Sequence, residues 1–290
     1  MSMKNIRAFD IIGAAAVFAA ALVPTSHCAT MEHTTLIPHK GESGEAPENT
    51  MASFRLAVDR GFGFECDIAL SKDGRVFTFH DRDFARATDG AVTNKCGELT
   101  WDEISRIDIG GYGRWKGSKY AGAHPALLEE VLELARDGRM IYVDTGGPEI
   151  VPYVRDVFAN QRRATPANTL FLSSNKETCR ALKRELPGFK VLWVSSSRHW
   201  ETQGFPCVSA DEMIAAIREV GADGVDCHFD PETVSAETVA AVHEAGFEFH
   251  VWTVDNVKDA ETAFRNGVDT LTTNYAEKLY RAAQASKEKP

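Results

Sequence analysis

The sequence predicts an α/β fold in which eight parallel strands and their helices form a single (β/α)8 TIM barrel, with an insertion after the second strand. Short β-branched and apolar runs alternate with amphipathic stretches from Leu36 onward, a pattern typical of parallel strands with crossover helices. Glycine follows several amphipathic stretches, as at Gly61, Gly246 and Gly267, where a helix must end before the next strand. About 260 residues remain after an N-terminal leader, a length that suits one large barrel.

The leader, residues 1–29, has the layout of a secretory signal peptide. Lys4 and Arg7 precede an apolar run at 11–23, which is too short for a comfortable membrane span and is followed by a short, mostly small and polar segment. We therefore expect residues 1–29 to be removed and residues 30–290 to form the barrel domain. Export to the periplasm or the cell exterior follows from this expectation, and no stable membrane span is expected.

The cysteines indicate neither a lipid anchor nor a disulfide framework. Cys28 follows the apolar run, but the three residues before it lack the leucine and the small residue of lipoprotein signals, so lipidation is not expected. The other five cysteines are widely spaced, without a metal-binding CxxC pair, and their spacing does not assign any disulfide.

Charge limits the range of partners. The formal net charge is −10, and no run of lysine and arginine occurs downstream of the leader. A nucleic acid is therefore not expected to bind. No motif indicates a protein partner, so a small molecule remains the expected partner.

Eight segments are predicted as barrel strands, and amphipathic patterns between them are predicted as helices. The predicted strands are 36–39, 62–70, 140–144, 169–173, 190–194, 224–228, 248–254 and 269–273. The clearest helical patterns are 51–60, 127–136, 176–185, 210–220, 236–245 and 257–266. The stretch at 81–123 breaks this alternation and contains a glycine-rich, aromatic segment at 110–117, so we interpret it as the insertion, lying over the barrel mouth.

The second predicted strand contains two carboxylates on one face. Period-two alternation puts Glu65 and Asp67 together, about 7 Å apart at Cα, with apolar residues such as Phe64 and Ile68 on the other face. A solvated edge strand would also accept acidic residues, but the apolar residues indicate that both faces are enclosed. Enclosed carboxylates need compensation, which predicts a metal ion or a cationic substrate.

Two histidines lie where they can join these carboxylates. Asp73-Gly74 is a turn signal, and the alternating run that follows would return His80 alongside the acids as the second arm of a hairpin. His39 ends the first strand, at the edge of the barrel where such folds place catalytic groups. Each histidine also has a bland interpretation, as a surface residue or as a loop cap.

The loop after His39 contains a helix-start signal. Glu48 and Asn49 precede the first predicted helix, so either residue contributes to capping or supports His39 from behind. The sequence does not choose between these two roles.

Taken in order, these motifs resemble the glycerophosphodiester phosphodiesterase family. The resemblance rests on His39-Lys40-Gly41, on Ala46 to Thr50, on Glu65-Cys66-Asp67, on Ser71 to Gly74 and on His80-Asp81, and near the other end on Val251 to Asp255 and Gly267 to Asn274. It therefore spans essentially the whole chain after the leader.

The resemblance implies metal-dependent hydrolysis of glycerophosphodiesters to glycerol 3-phosphate and an alcohol. It implies that Glu65, Asp67 and Asp144 bind one divalent cation, that His39 and His80 act as general acid and base, and that Trp252 lines the substrate site. Oxygen ligands favour Mg²⁺ or Ca²⁺.

Three residues depart from the family pattern. Lys40 stands where arginine is usual, which keeps a positive charge but loses the bidentate fork. Asp144 stands where most of these phosphodiesterases have glutamate, and it resembles the aspartate that sphingomyelinase D-type relatives have at this place. Gly146 stands where a lysine is common, so Lys40 or Arg114 would have to supply the missing charge, or the substrate differs. These departures leave two alternatives open: a phospholipase D- or sphingomyelinase D-like phosphodiesterase, and a non-catalytic barrel that binds phosphorylated headgroups.

Overall fold

One curled sheet of nine strands organises the protein. The structure is a computed structural model that describes residues 30–196 and 209–287. The strands are β1 (Leu36–Pro38), β2 (Phe64–Leu70), β3 (Val76–Thr78), β4 (Ile141–Thr145), β5 (Thr169–Ser173), β6 (Lys190–Ser195), β7 (Gly224–His228), β8 (Glu248–Trp252) and β9 (Thr270–Thr273). Their order in the sheet is β1-β9-β8-β7-β6-β5-β4-β2-β3.

Eight of these strands overlap the predicted ones, and the pairings of these eight with one another are all parallel. The ninth, β3, pairs antiparallel with β2 and is the returning arm of the predicted hairpin. The two ends of the curl approach each other where the backbone N–H of Gly41, just after β1, donates to the carbonyl of Glu65 in β2 at 3.1 Å.

Apolar side chains pack on both faces of the sheet. A cluster made up only of strand residues fills the inside of the curl, and a larger cluster lies between the strands and the surrounding helices. The inner cluster consists of Ile37, Tyr142, Leu170, Leu172 and Leu192.

Nine α-helices are described outside the sheet. They are α1 (Met51–Asp59), α2 (Trp101–Ile104), α3 (Leu128–Leu132), α4 (Val151–Asn160), α5 (Lys176–Glu185), α6 (Ala210–Val220), α7 (Ala236–Glu244), α8 (Val257–Arg265) and α9 (Ala276–Lys287).

Local sequence explains where several of these helices begin and end. Thr50 and Ser53 form a capping box that starts α1 directly after the loop that follows β1. Helix α3 ends at Leu132, before the predicted end at residue 136, and the chain then turns back between Arg136 and Arg139 through Gly138, whose φ of 69° favours glycine.

The long connection between β3 and α3 corresponds to the predicted insertion. It contains α2 and three short 3₁₀ turns, and its apolar residues, such as Phe84 and Ile104, form a cluster with Phe77 of β3. Arg114 from this connection donates to the main-chain carbonyl of Ser43 in the loop after β1. Its status as an insertion over a barrel mouth stays a prediction.

Several sequence predictions fall outside the described residues. These include the signal peptide at 1–29, Cys28 and Cys207. The four cysteines that the structure describes are all buried as free thiols. Within residues 30–196 and 209–287, no helix combines the length and apolar character needed to cross a membrane.

Candidate active site

A cavity of about 630 Å³ opens at the carboxyl ends of the parallel strands. Parallel α/β sheets commonly bind ligands at this edge. Six of the residues singled out from the sequence line this cavity together: His39, Glu65, Asp67, His80, Asp144 and Trp252.

Three carboxylates lie close together on β2 and β4. Asp67 and Asp144 are register partners on these neighbouring parallel strands, and Glu65 precedes Asp67 on the same face of β2. One oxygen from each of the three side chains lies within 4.8 Å of the others. Strand pairing, and not local sequence, therefore brings the third carboxylate to the first two.

The pKa values of the three acids show that it is unfavourable for all of them to be ionised in this buried arrangement without a cation. Burial and the charge of Asp67 raise the pKa of Glu65 well above its usual range, and the same causes raise the pKa of Asp144 to about 7. Burial also opposes ionisation of Asp67, but Lys40 and His80 outweigh it and lower the pKa of Asp67. Three oxygen donors, two of which have raised pKa values despite the nearby Lys40, fit a hard divalent cation such as Mg²⁺ or Ca²⁺.

His39 is oriented by the residue that follows the last strand. Its Nδ1–H donates to Oδ1 of Asn274 at 2.8 Å, and Nε2 lies 3.9 Å from Oε2 of Glu65. Asp255 accepts from Nδ2 of Asn274 at 2.7 Å, which fixes the amide with its oxygen toward the histidine. Burial, followed by the charge of Lys40, lowers the pKa of His39 and favours the neutral ring.

His80 is more exposed and has a charged partner. Its Nδ1–H donates to Oδ1 of Asp81 at 2.7 Å, and the other oxygen of Asp81 accepts from Nε of Arg86 at 2.6 Å. Arg86 also donates to Glu48 at 2.5 Å. This chain of contacts holds the ring of His80 at the cavity rim, with Nε2 left for other contacts.

Lys40 is the cation that touches the acids. Its Nζ lies 3.6 Å from Oδ2 of Asp67 and 3.9 Å from Oε1 of Glu48, and its main-chain N–H donates to Oε2 of Glu65 at 2.7 Å. Neither Lys40 nor Arg114, the other cation considered from the sequence, is among the residues that line the cavity. Lys40 contacts the acids from behind the cavity wall, whereas the guanidinium of Arg114 contacts Ser43.

Asn49 supports an acid and not a histidine. Its Nδ2 donates to Oδ2 of Asp67 at 2.7 Å, and its Oδ1 accepts from the main-chain N–H of Asp67 at 3.1 Å. Thr50, and not Asn49, caps α1. Neither of the two roles left open for Asn49, capping or support of His39, is the one observed: its side chain contacts Asp67 instead.

Other polar residues at the site were not singled out from the sequence. Asn274, Asp255 and Asp81 lie within the quoted motifs, and their positions next to matched residues were the available signal. Asp226 on β7 carries no such signal, although it lines the cavity and is buried. Burial and the charge of Asp144 raise the pKa of Asp226 well above its usual range.

The fold and the site define an α/β protein class whose functional residues lie at the carboxyl ends of a curled parallel sheet, with three acids able to hold one divalent cation. The family model described as "Glycerophosphoryl diester phosphodiesterase family" matches residues 39–278. The chain belongs to this family. The predicted family membership and enzyme class are thereby confirmed.

Two curated relatives are named glycerophosphodiester phosphodiesterase. The protein from Caldanaerobacter subterraneus subsp. tengcongensis is 28% identical over 251 residues, covering 85% of this chain and 96% of the relative. A Bacillus subtilis protein is 24% identical over 259 residues, covering 84% of this chain and 85% of the relative.

Solved structures show the same fold. An Oleispira antarctica phosphodiesterase in complex with the product sn-glycerol-3-phosphate has a TM-score of 0.72 at 23% identity, covering 87% of this chain and 96% of that chain. A putative glycerophosphoryl diester phosphodiesterase from Silicibacter pomeroyi has a TM-score of 0.75 at 22% identity, covering 87% and 94%.

Proposed function

We propose that this protein hydrolyses glycerophosphodiesters to glycerol 3-phosphate and an alcohol, with one divalent cation and two histidines. The observation that carries the proposal is the convergence of Glu65, Asp67 and Asp144 with His39 and His80 on one cavity. A protein that only binds headgroups has no need of two histidines whose ring orientations are fixed by neighbouring side chains.

The acids and Lys40 would manage charge. A phosphodiester is a poor electrophile because its negative charge repels nucleophiles. Glu65, Asp67 and Asp144 would hold Mg²⁺ or Ca²⁺, which supplies positive charge against that of the phosphate. Asn49 would keep Asp67 in place, and Lys40 would add the positive charge that Gly146 does not supply.

The histidines would divide the proton transfers between them. Because Asn274 accepts the Nδ1–H of His39, the lone pair of that ring lies on Nε2, which suits a general base. His39 would accept the proton of the attacking hydroxyl, from water or from the glycerol group of the substrate. Attack by the glycerol hydroxyl would expel the alcohol and form a cyclic phosphate, which water would then open to glycerol 3-phosphate. His80 lies at the exposed rim, where a departing alcohol reaches solvent, and would donate a proton to it.

The remaining parts of the proposal concern the wider chain. We propose that the connection between β3 and α3 is an insertion that borders the mouth of a closed barrel. We also propose that residues 1–29 direct export, so that the enzyme would meet its substrates in the periplasm or outside the cell.

One assay tests the function. The mature protein, residues 30–290, is incubated with glycerophosphocholine, glycerophosphoethanolamine and glycerophosphoglycerol, with Mg²⁺, Ca²⁺ or chelator, and released glycerol 3-phosphate is measured. Release with metal and none with chelator is expected. Cleavage of sphingomyelin or lysophospholipid without release from glycerophosphodiesters would instead select the phospholipase D-like alternative. Binding of these diesters without any cleavage would select the non-catalytic barrel.

A further inference from the structure

Asp226 is a buried acid on the cavity wall that the proposed mechanism does not use. It lies on β7 with Val194 of β6 and His250 of β8 as register partners, whereas the three clustered acids lie on β2 and β4. Asp226 is 2% exposed and lines the cavity, and its Oδ1 has no hydrogen-bond partner among the described residues.

A structural role does not account for this carboxyl group. Asp223, which precedes the same strand, accepts from the main-chain N–H of Val191 and from Nζ of Lys183, both at 2.8 Å, and so ties β7 to its neighbours. The described residues provide no comparable donor to Oδ1 of Asp226. A buried polar group without a partner is destabilising, so its presence at a ligand cavity indicates a partner that arrives with the ligand.

The surroundings of Asp226 favour a neutral partner. Val194, the register partner of Asp226 on β6, gives it an aliphatic neighbour on the cavity wall, and Trp252 uses its Nε1–H to bind the main-chain carbonyl of Asp226. Burial in such an environment disfavours the charged form of a carboxyl group, which weakens any attraction for an ammonium ion. A hydroxyl group, by contrast, can donate to the ionised carboxylate and can both donate to and accept from the protonated carboxyl group, so it pairs with either form.

We propose that Asp226 hydrogen-bonds a hydroxyl group of the substrate's glycerol moiety and thereby selects glycerol phosphates over simple alkyl phosphates. The proposal rests on the proposed function and names a binding residue for its substrate. With the phosphate near the acids of β2 and β4, the glycerol group would extend across the cavity toward β7. Recognition by an oriented polar group discriminates strongly against an analogue that lacks the hydroxyl, because the polar group is then left unpaired.

The test compares two ligands on two proteins, so that one residue change is combined with one ligand change. Binding of sn-glycerol 3-phosphate and of propyl phosphate, which has the same length without the two hydroxyls, is measured by calorimetry in Mg²⁺ for the wild type and Asp226→Leu. The wild type should bind glycerol 3-phosphate about tenfold more tightly than propyl phosphate, the worth of about one hydrogen bond. Asp226→Leu should bind both ligands equally, with its affinity for propyl phosphate unchanged.

Two controls separate recognition from damage to the fold. Asp137→Leu makes the same change at an exposed position in the turn before β4 and should keep the tenfold preference. The melting temperature of Asp226→Leu should equal or exceed that of the wild type, because an apolar side chain of similar shape replaces a buried, unpaired carboxyl group. Asp226→Asn, which keeps an acceptor and a donor, should retain part of the preference.

An unchanged preference in Asp226→Leu would overturn the proposal, as would a wild type that binds both ligands equally. Phosphocholine is the third ligand: a selective loss of its affinity in Asp226→Leu would assign Asp226 to an ammonium group and also overturn the proposal. These results are separate from the release of glycerol 3-phosphate by the wild type. If release occurs but the preference is independent of Asp226, the proposed function stands without this inference.

Discussion

Nδ1 of His39 lies 2.8 Å from Oδ1 of Asn274, although the two residues are 235 positions apart in the sequence. This contact joins the end of β1 to the residue after β9, the neighbouring strand in the sheet. Asp255 in turn binds the side chain of Asn274 at 2.7 Å and its main-chain N–H at 2.8 Å. Asp255 therefore fixes the side chain of Asn274, and Asn274 in turn fixes the orientation of the His39 ring.

Asn274→Ala should lower kcat because the ring of His39 would lose the partner that fixes its proton on Nδ1. We expect a decrease of about tenfold to a hundredfold, smaller than the loss of the histidine itself. Steady-state kinetics on glycerophosphocholine measure it, and Asn94→Ala, at an exposed position in the β3–α3 connection, is the matched control. A change in KM with kcat preserved would contradict an orienting role.

His39→Ala and His80→Ala should each reduce turnover of glycerophosphocholine by about 10² to 10⁴, with the fold intact. The two variants should differ on a glycerophosphodiester with a nitrophenol leaving group, which departs without a proton. His80→Ala should then recover most of its activity, whereas His39→Ala should stay impaired. Equal recovery in both variants would exclude the proposed division into base and acid, and near-wild-type turnover of either variant would exclude the two-histidine mechanism.

The sequence predicted the strands well because their signal is local. Alternation on β2 placed Glu65 and Asp67 on one face, and the Asp73-Gly74 turn predicted the hairpin that returns β3. The place of Asp144 beside them came from the family resemblance, since strand pairing between β2 and β4 is a long-range property that local pattern does not contain.

What the sequence did not predict depends on contacts across the curled sheet. The path of the loop after β1 turns the Asn49 amide toward Asp67. Local sequence does not contain this path, so it did not show which residue the amide contacts. Asp226 sits in an ordinary strand pattern, and only the positions of the described residues show that its Oδ1 has no hydrogen-bond partner among them.

Asp144→Asn should abolish the stabilisation of the protein by metal. Ligands that bind only the folded state raise its stability, by about 2.7 kcal/mol at a hundredfold excess over Kd. The wild type should therefore melt at a higher temperature in millimolar Mg²⁺ or Ca²⁺ than in chelator, and Asp144→Asn should not. In chelator at pH 8 the variant should be the more stable protein, because the pKa of Asp144 is raised to about 7 by burial and by Asp67. A metal-induced shift in Asp144→Asn as large as that of the wild type would contradict its role as a ligand.

Gly146→Lys should strengthen substrate binding by restoring a positive charge beside the third acid. A Cβ at Gly146 would meet no atom within 4 Å, so the backbone and its neighbours accommodate a side chain. We expect KM for glycerophosphodiesters to fall about two- to fivefold, the scale of a partly exposed charge interaction. Gly146→Gln is the matched control without charge. Equal kinetics in the two variants would show that Lys40 already supplies the charge that the phosphate requires.

Glu42 should make the stability of the protein depend on pH. It is fully buried, its Oε1 accepts from the main-chain N–H of Glu277 at 3.1 Å, and its Oε2 has no hydrogen-bond partner among the described residues. Burial raises the pKa of Glu42 to about 7, from 4.5 in an unfolded chain. The folded state therefore holds this proton more tightly, so its contribution to stability is complete below about pH 4.5 and is lost as pH rises through about 7.

Glu42→Gln removes this titration and should gain stability relative to the wild type as pH increases. Between pH 5 and pH 8 the difference in free energy of unfolding should shift in favour of the variant by at most about 3 kcal/mol. Urea unfolding at both pH values measures it, and other titrating groups cancel because both proteins share them. Glu45→Gln is the matched control: Glu45 binds the same Arg60, but Arg60 lowers its pKa, so it stays ionised at both pH values and its effect should not change. A constant difference between Glu42→Gln and the wild type would mean that Glu42 folds in its charged form, held by Arg60 at 3.4 Å.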